Sequence, residues 1–311
     1  MSNRDVELLR RLSQNEYFYT IDRHNPPQIV VKPKETLIVE TRDTLCGHIK
    51  SEKDRITSAE DYPNKQNASS GPIFVEGAEK GDTLVIHVDN IKIAENGWTG
   101  FEPTWLSWDV RDLGQVIPEI VTICSIRNNI IEIPCKGGRK LHVPARPLIG
   151  TIGVAPELEG RSTMTSGQYG GNLDSPEICA GNTLYLPVFV NGALLHLGDV
   201  HAIQGDSEVN ASPVEVDAEC TLTLDLIKGK KIGWPRIVSS EYIEAIGASK
   251  PLDSALAIAV KELVLWLRDE YGFDIWDAST LLASVGMAQI CGAANPDLLT
   301  VSMKFPKKYL S

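Results

Sequence analysis

The stretch Thr183-Leu-Tyr-Leu-Pro-Val-Phe-Val-Asn-Gly-Ala-Leu-Leu-His-Leu197 carries the strongest local structural signal in the chain. It consists of two apolar runs, at 183–190 and 193–197, on either side of the dipeptide Asn191-Gly192. Asn-Gly favours a tight two-residue turn, because both of its residues tolerate positive φ. The pattern therefore predicts a β-hairpin here, and with it a fold built on antiparallel strands.

Short β-branched runs of the same kind fill the chain from about residue 28 to residue 240. The segment Cys220-Thr-Leu-Thr-Leu-Asp-Leu226 alternates polar and apolar residues, which is typical of a strand with one buried face. Turn clusters such as Lys80-Gly-Asp82 separate the runs. Strands this short and frequent favour an antiparallel sandwich or barrel over a parallel sheet. The predicted strands lie at 29–31, 36–39, 83–93, 116–126, 129–134 and 217–227.

The hydrophobic period changes after residue 250. Apolar residues then recur at helical spacing, and Gly272 stands where such a helix would stop. Asp274 is a candidate N-cap for a second helix, and residues 298–305 return to a strand-like pattern. We therefore expect a β-dominated α+β fold, in which a C-terminal helical hairpin packs on an antiparallel sandwich-like or barrel-like core. Residues 1–311 would form one unit, with a β-rich part at 1–250 and the helical hairpin plus a final strand at 251–311.

The composition excludes several classes of protein. The 311 residues include 41 acidic and 30 basic side chains, for a net charge of −11, which argues against nucleic-acid binding. No apolar run approaches the roughly 20 residues of a membrane-spanning helix. The six cysteines are scattered singly, without the density of a disulfide framework or the C-x2-C pairs of a zinc ribbon. We expect a cytoplasmic protein with reduced thiols and with no nucleic-acid or membrane partner.

Titratable and metal-binding side chains are concentrated in two segments. These are Gly170-Gly-Asn-Leu-Asp174 and Gly198-Asp-Val-His-Ala-Ile-Gln-Gly-Asp-Ser-Glu-Val209. A glycine-containing loop after a strand lets several side chains converge on one point. Asp, Glu and His are ligands for divalent cations and are also general acid–base groups. A single Asp in such a loop more often caps backbone N–H groups, but the whole constellation favours a functional site.

Both segments belong to longer motifs. Residues 184–209 resemble the pattern LYLPV-x-V-x-GAL-x-x-GD-x-HA-x-QGDGEV of the acetamidase/formamidase family of metal-dependent amidases, and residues 170–174 resemble its GGN-x-D segment. Residues 71–82 match GP-x-x-VEGA-x-x-GD, residues 40–43 match ET-x-D, and residues 146–156 match RP-x-x-G-x-x-GVAP. The resemblance extends over roughly residues 25–305.

The resemblance implies hydrolysis of the C–N bond of a short linear amide, such as formamide or acetamide, to a carboxylate and ammonia. It also implies a divalent metal, for which we expect Zn²⁺ or Ca²⁺, because a cation polarises the carbonyl and lowers the pKa of bound water. His201 and Asp199 are the first-choice ligands on chemical grounds, and Asp43 or Asp174 would add a third oxygen. The candidate metal ligands are Asp43, Asp174, Asp199, His201 and Asp206.

The remaining candidates are assigned to proton transfer and to amide binding. Glu208 or Glu76 would take a proton from water and return it to the departing amine. Asn172 or Gln204 would orient the amide or stabilise the tetrahedral oxyanion.

Three residues depart from the family pattern. Val200 and Ser207 stand where Gly is usual, and Ile203 stands where Ala is usual. The larger side chains leave open an enzyme for a cyclic or substituted amide, and Ser207 would strain its loop if its φ were positive. A catalytically silent protein that binds a small ligand or a metal is a further alternative. The apolar helical hairpin has enough surface for a subunit contact, so we expect a homodimer or a dimer of dimers.

Overall fold

The computed structural model describes residues 9–13, 16–103, 118–293 and 299–310. Within this part there are two α-helices, α1 (Leu252–Tyr271) and α2 (Ile275–Val285). The strands, in chain order, are β1 (Arg10–Leu12), β2 (Thr20–Ile21), β3 (Ile29–Val31), β4 (Glu35–Thr41), β5 (Ser69–Val75), β6 (Thr83–Ile93), β7 (Asn96–Phe101), β8 (Ile120–Arg127), β9 (Ile130–Pro134), β10 (Lys140–Pro144), β11 (Leu148–Val154), β12 (Arg161–Ser162), β13 (Ser166–Gly167), β14 (Gly170–Asn172), β15 (Thr183–Pro187), β16 (Leu195–Ile203), β17 (Val214–Glu215), β18 (Ala218–Ile227), β19 (Arg236–Val238), β20 (Tyr242–Ser249), β21 (Met287–Gly292) and β22 (Leu299–Pro306). The predicted strand starts at residues 116 and 298 lie outside the described residues.

These strands form two large sheets and one small one. The first sheet has the order β1-β4-β18-β6-β15-β19-β20-β22-β21. The second has the order β10-β9-β8-β7-β17-β16-β11-β14-β13, with β5 added beside β16 and β3 beside β5. Strands β2 and β12 form a separate pair. In the described chain, neighbouring strands run antiparallel except for β1 with β4 and β3 with β5.

The two large sheets share one hydrophobic core. Ile86 and Leu222 of the first sheet and Ile152 and Leu197 of the second are fully buried in the same cluster. This is the arrangement of a sandwich, and the sheets do not close into a barrel. The prediction of a β-dominated antiparallel core is therefore confirmed.

The predicted hairpin around Asn191-Gly192 is wrong. Strand β15 pairs with β6 and β19 in the first sheet, whereas β16 pairs with β5, β11 and β17 in the second. Gly192, Ala193 and Leu194 all have positive φ, and they carry the chain from one sheet to the other. The apolar runs on the two sides of the turn are thus buried in different layers, and this tertiary packing overrides the local hairpin preference.

Both predicted helices are present, packed on one end of the first sheet. Helix α1 ends at Gly272, whose φ of 72° is the left-handed conformation favoured after a helix. Helix α2 begins after Asp274, whose side chain accepts a hydrogen bond from the N–H of Trp276. The apolar face of α1 packs on β20 and β22 and forms a second core around Leu263 and Phe305.

Strand β21 was missed in the sequence, and it forms the outer edge of the first sheet beyond β22. The apolar face of α1 is buried within the chain, whereas α2 leaves Ile275 and Trp276 exposed. The surface of α1 that suggested a subunit contact therefore serves the core of this chain.

A buried ion cluster lies on β20 and β22. Lys304 contacts the carboxylates of Glu177 and Glu244 at 2.6 and 3.6 Å. The hydroxyl of Ser302 donates to Oε2 of Glu244 at 2.9 Å, while Oε1 of Glu244 has no partner among the described residues. Burial raises the pKa of Glu244 to about 7, although the ammonium of Lys304 favours the ionised form.

This cluster predicts a pH-dependent loss of stability. Between about pH 4.3 and pH 7, the folded protein keeps a proton on Glu244 that the unfolded chain has lost, so this carboxyl lowers the free energy of unfolding as the pH rises. Glu244→Gln lacks that dependence. Across this window its stability should improve relative to wild type by roughly 3 kcal/mol, measured by denaturant unfolding at several pH values.

The matched control is Glu241→Gln, which removes an exposed carboxyl just before the same strand. Its stability curve should run parallel to that of wild type. A parallel curve for Glu244→Gln as well would contradict the assignment.

Candidate active site

The alternation of side chains along β16 is interrupted in the middle of the strand. Leu195 and Leu197 lie in the main core, and so do Val200 and Ala202, so the alternation shifts by one residue between them. The shift falls at Asp199, whose φ is 55°. Asp199 and His201, two residues apart, therefore share the face of the strand that points away from the core.

A second carboxylate reaches the same point from the loop after β14. Asp174 has a φ of 48°, and its N–H donates to the carbonyl of Gly150 on β11. A Cβ atom at Gly150 would lie only 2.9 Å from Oδ1 of Asp174 and from Oδ2 of Asp199. The missing side chain at residue 150 is therefore what lets the two carboxylates approach each other.

Two glutamates complete the cluster. Glu215 lies on β17 directly opposite His201 of β16. Glu208 belongs to the short 3₁₀ turn Asp206–Glu208 and has a φ of 47°. The ligand atoms form two overlapping sets, each within 4.8 Å, which share His201: Asp174, Asp199 and His201, and His201, Glu208 and Glu215.

The groups in the cluster perturb one another strongly. Burial, with the added effect of the Asp199 carboxylate, raises the pKa of Asp174 to about 7. Burial and the neighbouring carboxylates also raise the pKa values of Glu208 and Glu215 well above the usual range. Burial alone would lower the pKa of His201, but the carboxylates of Asp199 and Asp174 outweigh it and leave this pKa raised. The site therefore attracts positive charge, either as protons or as a cation.

The donor set fits a divalent cation. Oδ1 of Asp174, Nε2 of His201 and Oε2 of Glu215 are buried and have no hydrogen-bond partner among the described residues. Nε2 of His201 lies 3.5 Å from Oδ1 of Asp199 and 3.7 Å from Oε1 of Glu215. Carboxylate oxygens and one imidazole nitrogen are ligands that Zn²⁺ accepts. A cation among them would satisfy the buried atoms that the protein leaves unpaired.

Neutral side chains hold one carboxylate in place. Nδ2 of Asn67 lies 2.9 Å from Oδ2 of Asp199 and 2.8 Å from Oδ1 of Asn172. The hydroxyl of Thr151 also donates to Oδ1 of Asn172, at 2.8 Å. These bonds engage Oδ2 of Asp199 and leave Oδ1 directed toward His201.

The predicted residues Asn172 and Gln204 are both brought to the cluster. Because Oδ1 of Asn172 accepts from Asn67 and Thr151, its Nδ2 remains to bind a substrate oxygen. Nε2 of Gln204 instead donates to the carbonyls of Asp174 and Cys291. Both hydrogens of the Gln204 amide are thus engaged within the protein, so of the two candidates Asn172 is the one whose amide donor makes no hydrogen bond to the described residues.

Three other predicted residues lie outside the two ligand sets, although the carboxylate of Asp43 is near enough to contribute to the raised pKa of Glu215. One oxygen of Asp43 accepts hydrogen bonds from the N–H groups of Leu45 and Gly47, so this carboxylate shapes its own turn. Asp206 is exposed and accepts from Nε2 of Gln289 at 2.6 Å. Glu76 is exposed in the turn after β5, whereas the cluster is buried. Asp43 and Asp206 are therefore absent from both ligand sets. Glu76 is not positioned to act as the base.

Sequence reasoning missed Glu215, Asn67 and Gly150 as site residues. Glu215 had a signal, since it stands between Val214 and Val216, and a charged residue inside an apolar run needs a buried partner. Asn67 and Gly150 had none, because their roles depend on contacts with residues more than 20 positions away along the chain.

Comparison with known proteins agrees with the motifs that form this cluster. The sequence model of the Acetamidase/Formamidase family matches residues 13–159 and 155–242. The chain belongs to the acetamidase/formamidase family. Its structure is similar to that of an acetamidase from Bacillus halodurans, with 31% identity over 96% of this chain and 98% of that one and a TM-score of 0.88. An acetamidase from Yersinia enterocolitica is 32% identical over 98% of this chain and 93% of that one, with a TM-score of 0.90.

Among curated relatives, an acetamidase from Mycolicibacterium smegmatis is 39% identical over 66% of this chain and 64% of its own length. The chain spans 60–64% of the length of the curated relatives that it matches. In the described part of the protein, no helix is long and apolar enough to span a membrane.

The departures from the family pattern have different consequences. Val200 is fully buried in the main core, so its side chain does not line the site. Ile203 is half-buried and packs against the same core. Ser207 has a φ of 76°, which is the strained case for a residue with a side chain. Among the three departures, the serine at position 207 is therefore the one that carries a conformational cost.

The role of Gly150 leads to a prediction. Gly150→Ala places a methyl group against Asp174 and Asp199, so the carboxylates must separate. We expect a stability loss of about 1–3 kcal/mol and weaker retention of divalent metal, measured by thermal unfolding and by elemental analysis after dialysis.

The control is Gly205→Ala, in the loop that carries Glu208. A Cβ at Gly205 meets nothing within 4 Å, and its φ of −82° suits alanine. Metal retention by Gly150→Ala equal to that of this control would show that the close approach at residue 150 is not needed.

Proposed function

We propose that this protein is a metal-dependent amidase that hydrolyses a short linear amide to a carboxylate and ammonia. The observation that carries the proposal is the buried cluster in which Oδ1 of Asp174, Nε2 of His201 and Oε2 of Glu215 lack partners among the described residues. Family membership supports amide hydrolysis as the reaction class.

Asp174, Asp199 and His201 would hold the metal in this proposal. A histidine among the ligands favours Zn²⁺ over Ca²⁺, which takes about six to eight oxygen ligands. When bound, the cation would polarise the amide carbonyl and lower the pKa of water beside it. Asn67 keeps Asp199 oriented for this task through its other oxygen.

Glu208 is the proposed proton carrier. It is half-buried next to the exposed Val209, whereas Glu215 is 1% exposed opposite His201, so Glu208 is the more accessible of the two glutamates to a substrate arriving from solvent. As water attacks the carbonyl carbon, the Glu208 carboxylate takes one proton from it and delivers this proton to the nitrogen as the C–N bond breaks. The products are ammonia and the carboxylic acid, which ionises.

Asn172 is the proposed amide-binding group. Its Nδ2 makes no hydrogen bond to the described part of the chain, and its oxygen is fixed by Asn67 and Thr151. A donor fixed in this way can stabilise the negative charge that develops on the carbonyl oxygen.

The first test is ammonia release from formamide, acetamide and propionamide by purified protein, before and after chelation and after metal is added back. Chelator-sensitive release from one of these amides would support the proposal. Release that is indifferent to chelation would remove the metal from it. No release by metal-loaded protein would favour a cyclic or substituted amide, or a silent binding protein.

His201→Ala should lose metal and activity together, because the variant removes the only nitrogen ligand of the cluster. We expect metal affinity to fall by more than about 100-fold, measured by competition with a chromophoric chelator. His142→Ala is the control, since His142 is exposed and its ring contacts the half-buried Glu132 on the neighbouring strand rather than the cluster. Full metal content in His201→Ala would disprove the ligand assignment.

Glu208→Gln should separate proton transfer from metal binding. The amide keeps the shape of the side chain but cannot take a proton, so ammonia release should fall by about 10²–10⁴-fold while metal content stays near that of wild type. Loss of the metal in this variant would instead place Glu208 among the ligands.

The quaternary structure is a separate proposal. We propose a homodimer or a dimer of dimers, and light scattering at micromolar concentration tests it. A monomer under these conditions would reject it.

A further inference from the structure

Gln204 makes three polar contacts from one side chain, immediately after the end of β16. Its Nε2 donates to the carbonyl of Asp174 at 2.7 Å and to the carbonyl of Cys291 at 3.1 Å. Its Oε1 lies 2.8 Å from Nδ1 of His201. The side chain therefore joins the loop after β14, the end of β16 and the edge strand β21.

These contacts allow only one orientation of the amide. Exchanging its oxygen and nitrogen would direct Oε1 at two carbonyl oxygens, and none of the three could donate. Both hydrogens of Nε2 are used by the carbonyls of Asp174 and Cys291. The group that faces His201 is therefore an acceptor, and Nδ1 of His201 must carry the hydrogen between them.

The other ring nitrogen of His201, Nε2, has no hydrogen-bond partner among the described residues. In a neutral imidazole with hydrogen on Nδ1, Nε2 bears a lone pair. Nε2 is buried and unpartnered among the described residues, and its nearest polar neighbours are the carboxylates of Asp199 and Glu215. An ionised carboxylate cannot donate to this lone pair, whereas a proton or a metal cation can accept it.

We infer that Gln204 is a positioning residue, which holds His201 in the tautomer with hydrogen on Nδ1 and so presents Nε2 to a cation. The same side chain holds the carbonyl of Asp174, whose N–H is held by Gly150, so the peptide groups on both sides of Asp174 are fixed. The side-chain amide of Gln204 thereby positions two candidate ligands, Asp174 and His201. The metal part of this inference rests on the proposed function, but the tautomer part does not.

The tautomer is measured first, in metal-free full-length protein with ¹⁵N-labelled histidine. Long-range ¹H–¹⁵N spectra distinguish a ring nitrogen that carries hydrogen from one that bears a lone pair, and comparison with His201→Ala assigns the signals. At a pH above neutrality, we expect hydrogen on Nδ1 of His201. Hydrogen on Nε2 and none on Nδ1 in the wild-type protein would overturn the inference.

Gln204→Met then removes the acceptor while keeping the length of the side chain. We expect the His201 ring to lose its single tautomer and to place hydrogen on Nε2, where carboxylates can accept it. Affinity for Zn²⁺ alone, measured by chelator competition, should fall about 10–100-fold. Unchanged tautomer and unchanged affinity would overturn the inference.

Gln204→Glu tests the acceptor by itself, and it keeps the experiment decisive if Gln204→Met does not fold. A carboxylate can accept from Nδ1 of His201 but cannot donate to the two carbonyls, so the tautomer with hydrogen on Nδ1 should persist. A variant with hydrogen on Nε2 and none on Nδ1 would count against the inference.

The matched control is Gln289→Met, on β21 at the same edge of the molecule. Nε2 of Gln289 donates to the exposed Asp206 and not to His201, so this variant should retain both the tautomer and the Zn²⁺ affinity of wild type. A loss in Gln289→Met equal to that in Gln204→Met would show a general loosening of this edge and would overturn the inference.

The two proposals fail in different ways. Protein that binds no metal but shows hydrogen on Nδ1 of His201, lost in Gln204→Met, would reject the proposed function and support the positioning role. Protein that binds metal and releases ammonia, but whose Gln204→Met variant binds Zn²⁺ as tightly as wild type, would keep the function and reject the positioning role.

Discussion

Mutual repulsion among buried carboxylates is the constraint on which the rest of this structure depends. Four acidic side chains converge on one imidazole, in two sets of ligand atoms that each lie within 4.8 Å: Asp174, Asp199, Glu208, Glu215 and His201. At an effective dielectric constant of about 20, two unit charges about 4 Å apart repel by about 4 kcal/mol. Three of the acids also have positive φ, a conformation that costs about 1–3 kcal/mol for a residue with a side chain. Charge and backbone therefore both oppose the site in its fully ionised, metal-free form: protons or a cation relieve the charge repulsion, and the apolar sandwich beneath has to offset the backbone strain.

The site lies where the two large sheets meet. Asp199 and His201 come from β16 in the second sheet, whereas the carbonyl of Cys291, which Gln204 holds, belongs to β21 at the edge of the first. The N–H of Ala293, just after β21, donates to the carbonyl of Ser207 in the loop that carries Glu208. The edge strand beyond the helical hairpin thus supports a loop of the other sheet. This contact gives the C-terminal part of the chain a role in the site as well as in the second core.

The parts of the fold that could be predicted from the sequence are those set by local patterns. The helix that ends at Gly272, the N-cap at Asp274 and the alternating strand before Leu226 all follow from residues within a few positions of one another. The Asn191-Gly192 hairpin failed because the flanking strands are buried in different sheets, which no local turn preference records. The same reasoning found Asp199, His201 and Glu208 as candidates, because one short segment contains them. Glu215 joins this group only through the pairing of β17 with β16, and Asp43 was expected in it although its own turn engages one of its oxygens.

The backbone at Ser207 and Glu208 suggests why the family pattern prefers Gly at the first of these positions. Two consecutive residues with φ of 76° and 47° turn the chain sharply enough to bring Glu208 back toward Asp174. Glycine would adopt the first of these conformations without strain, and serine adopts it only because neighbouring contacts hold the loop, among them the bond from Ala293 to the carbonyl of Ser207. Val200, in contrast, is buried in the core on the other side of β16 and does not reach the site. Of the three departures from the quoted motif, Ser207 is therefore the one that bears on the site, through the position that its backbone gives to Glu208.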